Sequence, residues 1–376
     1  MSHTSVLKRL TLFTTLLLTL ASCSQTPAPV AAPETHTEIQ SPDISKLGAA
    51  DVFDVTLADK STYQTNGVTW WNQGVVWWNQ GLGWWISAVK WWIGGIGWWI
   101  EGVFQPAPEN SNAFKMIKLD KAQALAPNLG LNVNVALIDT GVDFNHPMLQ
   151  GGVKSAWDYL DWDNNASEEG SDSDVAYGHG TAVAGLIRQI APRANIQVYR
   201  VINEDGSGRS RDVAKAIYDA TNNGAQVINL SVGTDQLTSS VYTAMLYAAS
   251  KKVLMVASGG NDGASKPLAP ALQFGSDPLL DLSGLSVGSV NQDGSSVSWN
   301  NQGNEILAPG VNMFSAYPGG RVVLATGSSF SAPVVTGALA LALGEKANSW
   351  KLTTLMESTS TNRLLNMEAF LKQALR

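Results

Sequence analysis

Cysteine occurs once in the 376 residues, at Cys23, and histidine only four times. A single cysteine cannot close an intrachain disulfide, and it excludes thiolate-rich zinc sites and iron–sulfur clusters. Basic residues are scarce too: 24 Lys and Arg stand against 31 Asp and Glu, a net charge of −7. That balance argues against a surface built to neutralise phosphate backbones, so no nucleic-acid partner is expected. Charged residues make up only 15% and hydrophobic ones 44%, enough apolar material for a sizeable core and too much for a disordered chain. The length allows two or three units, or one large α/β domain with appendages. Tryptophan alone is abundant. Ten of the fourteen fall between Trp70 and Trp99, and such clustering marks a local device, because a core would spread them more evenly.

At the N-terminus, Lys8 and Arg9 precede an apolar stretch from Leu10 to Ala21. These are the charged and apolar regions of a secretory signal over residues 1–22, too short to span a bilayer as a stable helix. The segment ends in Leu20-Ala21-Ser22-Cys23, which resembles the bacterial lipobox, where cleavage precedes a cysteine that receives a diacylglycerol group. Removing the signal would take the charge from −7 to −9, since Lys8 and Arg9 leave with it. More than one acyl chain makes anchoring stable. Residues 23–48 are rich in Pro, Thr, Ala and Glu and bury too little apolar area to offset their ordering entropy, so they read as a lipidated flexible linker.

Residues 49–111 contain Trp pairs beginning at 70, 77, 84, 91 and 98, a seven-residue period over five copies. The fifth position of each copy is small and the sixth aliphatic, as in Gly74-Val75 and Gly81-Leu82. On a helix these positions form one aromatic stripe, whereas an odd period on a strand alternates faces, so the pattern predicts helix. Its glycines cost about 1 kcal/mol each in a helix, which calls for a supporting surface. Three arrangements satisfy the pattern: a helix in the headgroup plane of a membrane, a repeat packed on the following domain or on another copy, or a span over residues 82–100. The span would bury Lys90 at a cost of about 2.5–3.5 kcal/mol.

From residue 112 to 376 the pattern changes. Apolar runs at Val133–Ile138, Ile196–Ile202, Val227–Leu230, Val253–Ala257 and Leu285–Val290 read as buried strands. Helical stretches alternate with them at Gly180–Ile190, Asp212–Asn223, Ser239–Ser250 and Ser331–Leu343. The alternation predicts an α/β domain with a mostly parallel central sheet and helices on both faces, where ligands bind beyond the carboxyl ends of the strands.

Asp139 ends the first strand in Ala-Leu-Ile-Asp-Thr-Gly. Asp-Thr-Gly also suits an aspartic protease, but that chemistry needs two carboxylates sharing a proton, and no second Asp-Thr-Gly or Asp-Ser-Gly exists here. His179 lies in Tyr-Gly-His-Gly-Thr, where a loop enters a helix; Ser329 lies in Gly-Ser-Ser-Phe-Ser-Ala-Pro, where a glycine turn opens another. A lone histidine is usually structural. The three motifs together, in the order Asp, His, Ser, resemble the subtilisin-like serine proteases, or subtilases, which share that chain order. The resemblance covers about residues 112–345. It includes Asp139-Thr140-Gly141-Val142-Asp143 with His146-Pro147, His-Gly-Thr-Ala-Val-Ala-Gly at 179–185 and Asp-Gly-Ser-Gly at 205–208. It continues with Val-Ile-Asn-Leu-Ser-Val-Gly at 227–233, Gly-Gly-Asn-Asp-Gly at 259–263 and Ala-Pro-Gly at 308–310.

The resemblance implies a serine endopeptidase acting on peptides or proteins, with no cofactor required for its chemistry. Ser329 is the expected nucleophile, His179 its base and Asp139 the orienting carboxylate, with Asn261 as oxyanion donor. Ser231, Val232 and Gly233 correspond to a substrate-binding strand, and Gly259 to a roomy side-chain pocket. Two departures stand out: Gly327-Ser328-Ser329-Phe330-Ser331 replaces the family's usual Gly-Thr-Ser-Met-Ala, and Ala182 replaces a frequent non-triad histidine. Residues 49–111 occupy the place of an inhibitory propeptide without resembling its compact α+β form, so retention is expected over release by processing. Seven acids lie between Asp158 and Asp174 with no Lys or Arg among them, which admits either a solvated loop or a structural calcium site with unassigned ligands. The whole-chain reading is an exported, lipid-anchored protease of a bacterial envelope. The alternative, from another class, is a membrane-binding lipoprotein whose Trp repeat is functional and whose peptidase domain is inert.

Overall fold

The computed structural model describes residues 106–376, and before them only the backbone course of five short strands at Val52–Val55, Gly67–Thr69, Val75–Trp78, Trp99–Ile100 and Val103–Phe104. The signal segment, Cys23, the linker and most of the Trp repeat lie outside the described residues. Among the described residues, no helix is long and apolar enough to cross a membrane.

Seven strands build the central sheet. They are β1 (Asn134–Asp139), β2 (Val153–Asp158), β3 (Asn195–Arg200), β4 (Val227–Leu230), β5 (Leu254–Ser258), β6 (Gly284–Val290) and β7 (Ile306–Pro309). All pairings are parallel, in the order β7-β6-β5-β4-β1-β3-β2. Alternate residues of each strand serve opposite faces, the period of two that pleating imposes. Val135, Leu137, Ile196, Val198 and Val227 enter one apolar cluster, while Ala136, Ile138, Tyr199, Ile228 and Leu230 enter another.

The first cluster is roofed by α1 (His179–Ile190) and α4 (Ser328–Gly344), the second by α2 (Ser210–Asn222) and α3 (Ser239–Ser250). Every residue of α1 is buried, as are the first fifteen of α4. These two helices are therefore enclosed all round, and their Ala and Gly residues permit close approach. At Gly337 a Cβ would run into Ile190 of α1.

The chain leaves β1 toward β2 and β3, then returns past β1 to add β4 on its other side. β1 and β4 thus flank the point where the winding reverses, and the crevice beyond their carboxyl ends is where an open α/β sheet accepts ligands. Asp139 is the last residue of β1, and Ser231 follows the last of β4.

A hairpin, β8 (Met313–Tyr317) and β9 (Arg321–Ala325), precedes α4 and forms a second sheet. Upstream strands extend it in the order 52–55, 75–78, β9, β8, with Val75 opposite Ala325 and Trp77 opposite Val323. Gly67–Thr69 pairs antiparallel with Ser207–Arg209. Where the Trp repeat is described, at 75–78 and 99–100, it is strand and not the expected helix. Val-Val-Trp-Trp is β-branched and aromatic, a composition that fits a pleated ladder, and the flanking glycines disfavour helix.

Candidate active site

β1 delivers Asp139 at its end, and a left-handed turn delivers His179. Gly178 sits at φ +86° immediately before α1, and a Cβ there would strike the Tyr317 ring. Only glycine fits that turn without strain. His179 Nδ1 lies 2.5 Å from Asp139 Oδ1, and both residues are buried. A carboxylate only accepts, so Nδ1 carries a hydrogen, and Nε2 is the ring nitrogen left to exchange a proton. The same Asp139 oxygen accepts the Thr140 N–H at 2.8 Å.

Ser329 is the second residue of α4. Its hydroxyl donates to the Ser231 carbonyl at 3.2 Å, and the Ser231 hydroxyl donates to the Ser329 carbonyl at 2.9 Å. The second bond has a reason in the sequence. Pro333 stands where the i+4 N–H should take the Ser329 carbonyl, and proline has none. A buried chain continues from Ser231: Asn229 Nδ2 donates to Ser231 Oγ at 2.9 Å, and Thr336 Oγ1 donates to Asn229 Oδ1 at 2.8 Å. The start of α4 is thereby fastened to the end of β4.

Asn261 is buried beside the same helix start. Its Oδ1 accepts the Ser328 N–H at 2.8 Å, which fixes the amide so that Nδ2 faces away from that bond. A Cβ at Gly327 would stand 3.2 Å from Nδ2. Ser328 keeps the role of a hydroxyl at this position, since its Oγ accepts the Gly260 N–H at 3.0 Å. The other departure, Phe330, is buried with its ring centroid 5.3 Å from that of His179. It packs against the imidazole and so helps fix its orientation. Ala182 is buried in α1.

Ser231, Val232 and Gly233 are buried and continue from β4, with Val232 in the second apolar cluster. Gly259 is placed differently from expectation. The direction a side chain would take is filled by Asn304, and its carbonyl accepts from Leu268 N at 2.9 Å and Asn301 Nδ2 at 3.0 Å. Its missing side chain lets Asn304 close in, and no open pocket results there.

His146 is structural. Its Nδ1 accepts the Met148 N–H, so Nε2 donates to the Arg321 carbonyl at 2.6 Å, and burial pulls its pKa down to about 4. The acidic loop is neither simply solvated nor arranged around a metal. Asp158, Asp161 and Glu169 converge within ligand distance of one another, but Arg200 supplies the cation. Its guanidinium reaches Asp158 at 2.6 Å, Glu169 at 2.9 Å and Asp161 at 3.4 Å. A calcium ion would have to share three carboxylates with a fixed positive charge, so this donor set does not fit one. Farther along, Arg321 grips both oxygens of Asp172 at 2.6 Å.

Glu168 joins the site without a motif to mark it. Its two oxygens accept from Thr140 Oγ1 at 2.6 Å and Thr181 Oγ1 at 2.7 Å. Those threonines belong to the Asp139 and His179 motifs, but Glu168 is one of seven acids in its loop.

The chain is similar to known proteins. The sequence profile of the Subtilase family matches residues 130–374. The chain is 34% identical over 238 residues to the thermophilic serine proteinase of Bacillus sp. (strain AK1), covering 60% of this chain and 56% of that protein. It is 30% identical over 255 residues to thermitase of Thermoactinomyces vulgaris, covering 65% and 86%. With subtilisin E of Bacillus subtilis (strain 168) it shares 32% identity over 246 residues, covering 62% and 61%. The chain thus spans less than two thirds of the first and third of these relatives.

Proposed function

Since the chain belongs to the subtilase family, we propose that it is a serine endopeptidase hydrolysing peptide bonds through Asp139, His179 and Ser329. The observation that carries this reading is the buried 2.5 Å contact between Asp139 and His179 beside the helix start that bears Ser329. A serine hydroxyl is a weak nucleophile near neutrality. An extended substrate pairing with Ser231–Gly233 brings an N–H to the Ser231 carbonyl, which frees the Ser329 hydroxyl to turn to His179. Nε2 takes the proton as Oγ bonds to the peptide carbonyl carbon, and the carbonyl electron pair moves onto oxygen. Asp139 stabilises the resulting imidazolium. The oxyanion is met by Asn261 Nδ2 and by the Ser329 N–H, which has no intrahelical acceptor in the first turn. Collapse expels the amine with the proton from His179, and water repeats the sequence to release the acyl group. The test is Ser329→Ala: the folded variant should lose casein hydrolysis, and parental activity in it would overturn the assignment.

The protein is further proposed to be exported and held in a bacterial envelope through lipid on Cys23, on the strength of the Leu-Ala-Ser-Cys motif. The pairing of residues 67–69 with Ser207–Arg209 and of 75–78 with β9 supports retention of the repeat against the peptidase domain. N-terminal sequencing of washed membranes tests both statements. A blocked, lipid-bearing terminus at Cys23 is expected; a soluble form beginning beyond residue 105 would refute retention.

A further inference from the structure

We propose that Glu168 is a positioning residue that holds the Asp139 and His179 segments in register for proton transfer, and that it works as the carboxylate. The inference rests on the serine-peptidase reading above. Glu168 Oε1 accepts from Thr140 Oγ1, next in the chain to Asp139; Oε2 accepts from Thr181 Oγ1 at 2.7 Å and from Thr181 N at 3.3 Å, two residues after His179. The backbone of Gly178, just before His179, donates to it as well. One side chain therefore grips both sides of the Asp139–His179 contact.

Hydrogen accounting requires the ionised form. Thr140 Oγ1 already accepts the Gly180 N–H at 2.9 Å, and Thr181 Oγ1 accepts the Asp143 N–H at 2.9 Å. Each hydroxyl has one hydrogen to give, and both give it to Glu168. A protonated carboxyl, or an amide in its place, would face one of those hydrogens with another and turn a threonine away.

Glu168 is half-buried, and its surroundings disfavour charge. Burial, opposed by the Thr140, Thr181 and Gly178 hydrogen bonds and reinforced by the nearby Asp139, pushes its pKa up to about 7. The other ionisable groups around it are His179 on α1, Asp143 in the loop after β1, and Tyr177 and Tyr317, both of which feel its charge. Asp172 of its own loop is neutralised by Arg321. The grip is thus set to loosen as pH falls through neutrality.

The experiment measures kcat and KM against pH for the parent, Glu168→Gln and Thr181→Val on one peptide substrate, with Thr181→Ser as the conservative control. The expected result is a kcat loss on the order of tenfold to a hundredfold in Glu168→Gln at pH 8.5 with little change in KM, since small misplacements of reacting groups cost that much. Its acid limb should also become shallower than the parent's, because the Glu168 ionisation is gone. Thr181→Val should lose kcat and Thr181→Ser should recover it. Parental kcat and an unchanged acid limb in Glu168→Gln would overturn the proposal. If Glu168→Gln does not fold, the Thr181 pair decides: equal kcat in Val and Ser variants overturns it. A parent enzyme with no hydrolysis would refute the peptidase reading instead.

Discussion

Ser231 and Ser329 hold one another through two reciprocal hydrogen bonds, each hydroxyl donating to the other residue's carbonyl, at 2.9 and 3.2 Å. The first exists because Pro333 cannot donate to Ser329. Ser231→Ala should therefore strand a buried carbonyl and the Asn229 amide, costing about 1–3 kcal/mol in urea unfolding. Adding Pro333→Ala supplies the missing helical N–H, so the double variant should recover part of that loss. Simple additivity of the two changes would contradict this account.

Asp139→Asn keeps the size of the side chain but no longer fixes the hydrogen on His179 Nδ1. A fall in kcat of about 10⁴ is expected, the magnitude of the same change in a serine protease of another fold. Circular dichroism should show the parental fold. A loss below tenfold would mean that Asp139 does not set the tautomer.

Glu305 carries a stability cost that depends on pH. Burial, opposed by hydrogen bonds from Ser286 and reinforced by Glu357 and Asp281, pushes its pKa up to about 7 from an ordinary 4.5. A carboxyl raised on folding favours the folded state while protonated, so this contribution is complete below about pH 4.5 and is lost as pH rises through 7. One oxygen of Glu305 accepts both Ser286 bonds, at 2.8 and 2.9 Å, and a glutamine oxygen can do the same. Glu305→Gln should stabilise the protein by ~2 kcal/mol at pH 8.5 and by almost nothing at pH 4.5. Thermal melts at the two pH values check this, and equal shifts at both would refute it.

Arg200 is the cation of the acidic loop. Arg200→Met should cost about 3–5 kcal/mol, because Asp158 is left buried without its partner. EDTA should leave the melting midpoint of the parent unchanged. A lower midpoint with chelator, restored by calcium, would show that a metal holds the fold after all.

Much of the fold was legible because both-face burial writes strands as unbroken apolar runs, as in Val133–Ile138, which lies within a residue of β1. β2 escaped notice because it is an edge strand, half exposed, whose Lys154 and Ser155 interrupt the run. The β8–β9 hairpin was foreshadowed by Pro318-Gly319-Gly320 between two β-rich runs, a turn signal that the β-α alternation overshadowed. α4 begins at Ser328, three residues before its expected start, because small polar residues conceal a helix that tertiary packing holds. The Asp139 and His179 motifs were legible through their resemblance to those of the subtilases. Their support Glu168 carries no motif of its own, and Asn229 and Thr336, which hold Ser231 and α4, meet only through the fold. The helix expected of the Trp heptads failed where strands are described, since periodicity says nothing of an open sheet edge such as β9.

The most direct test of the account is a fluorophosphonate reaction read by intact mass and peptide mapping. The account predicts one adduct per chain, on Ser329, absent from Ser329→Ala and suppressed in His179→Ala. A folded parent protein that takes up no label, or carries it on another serine, would contradict the claim that Asp139 and His179 activate this hydroxyl.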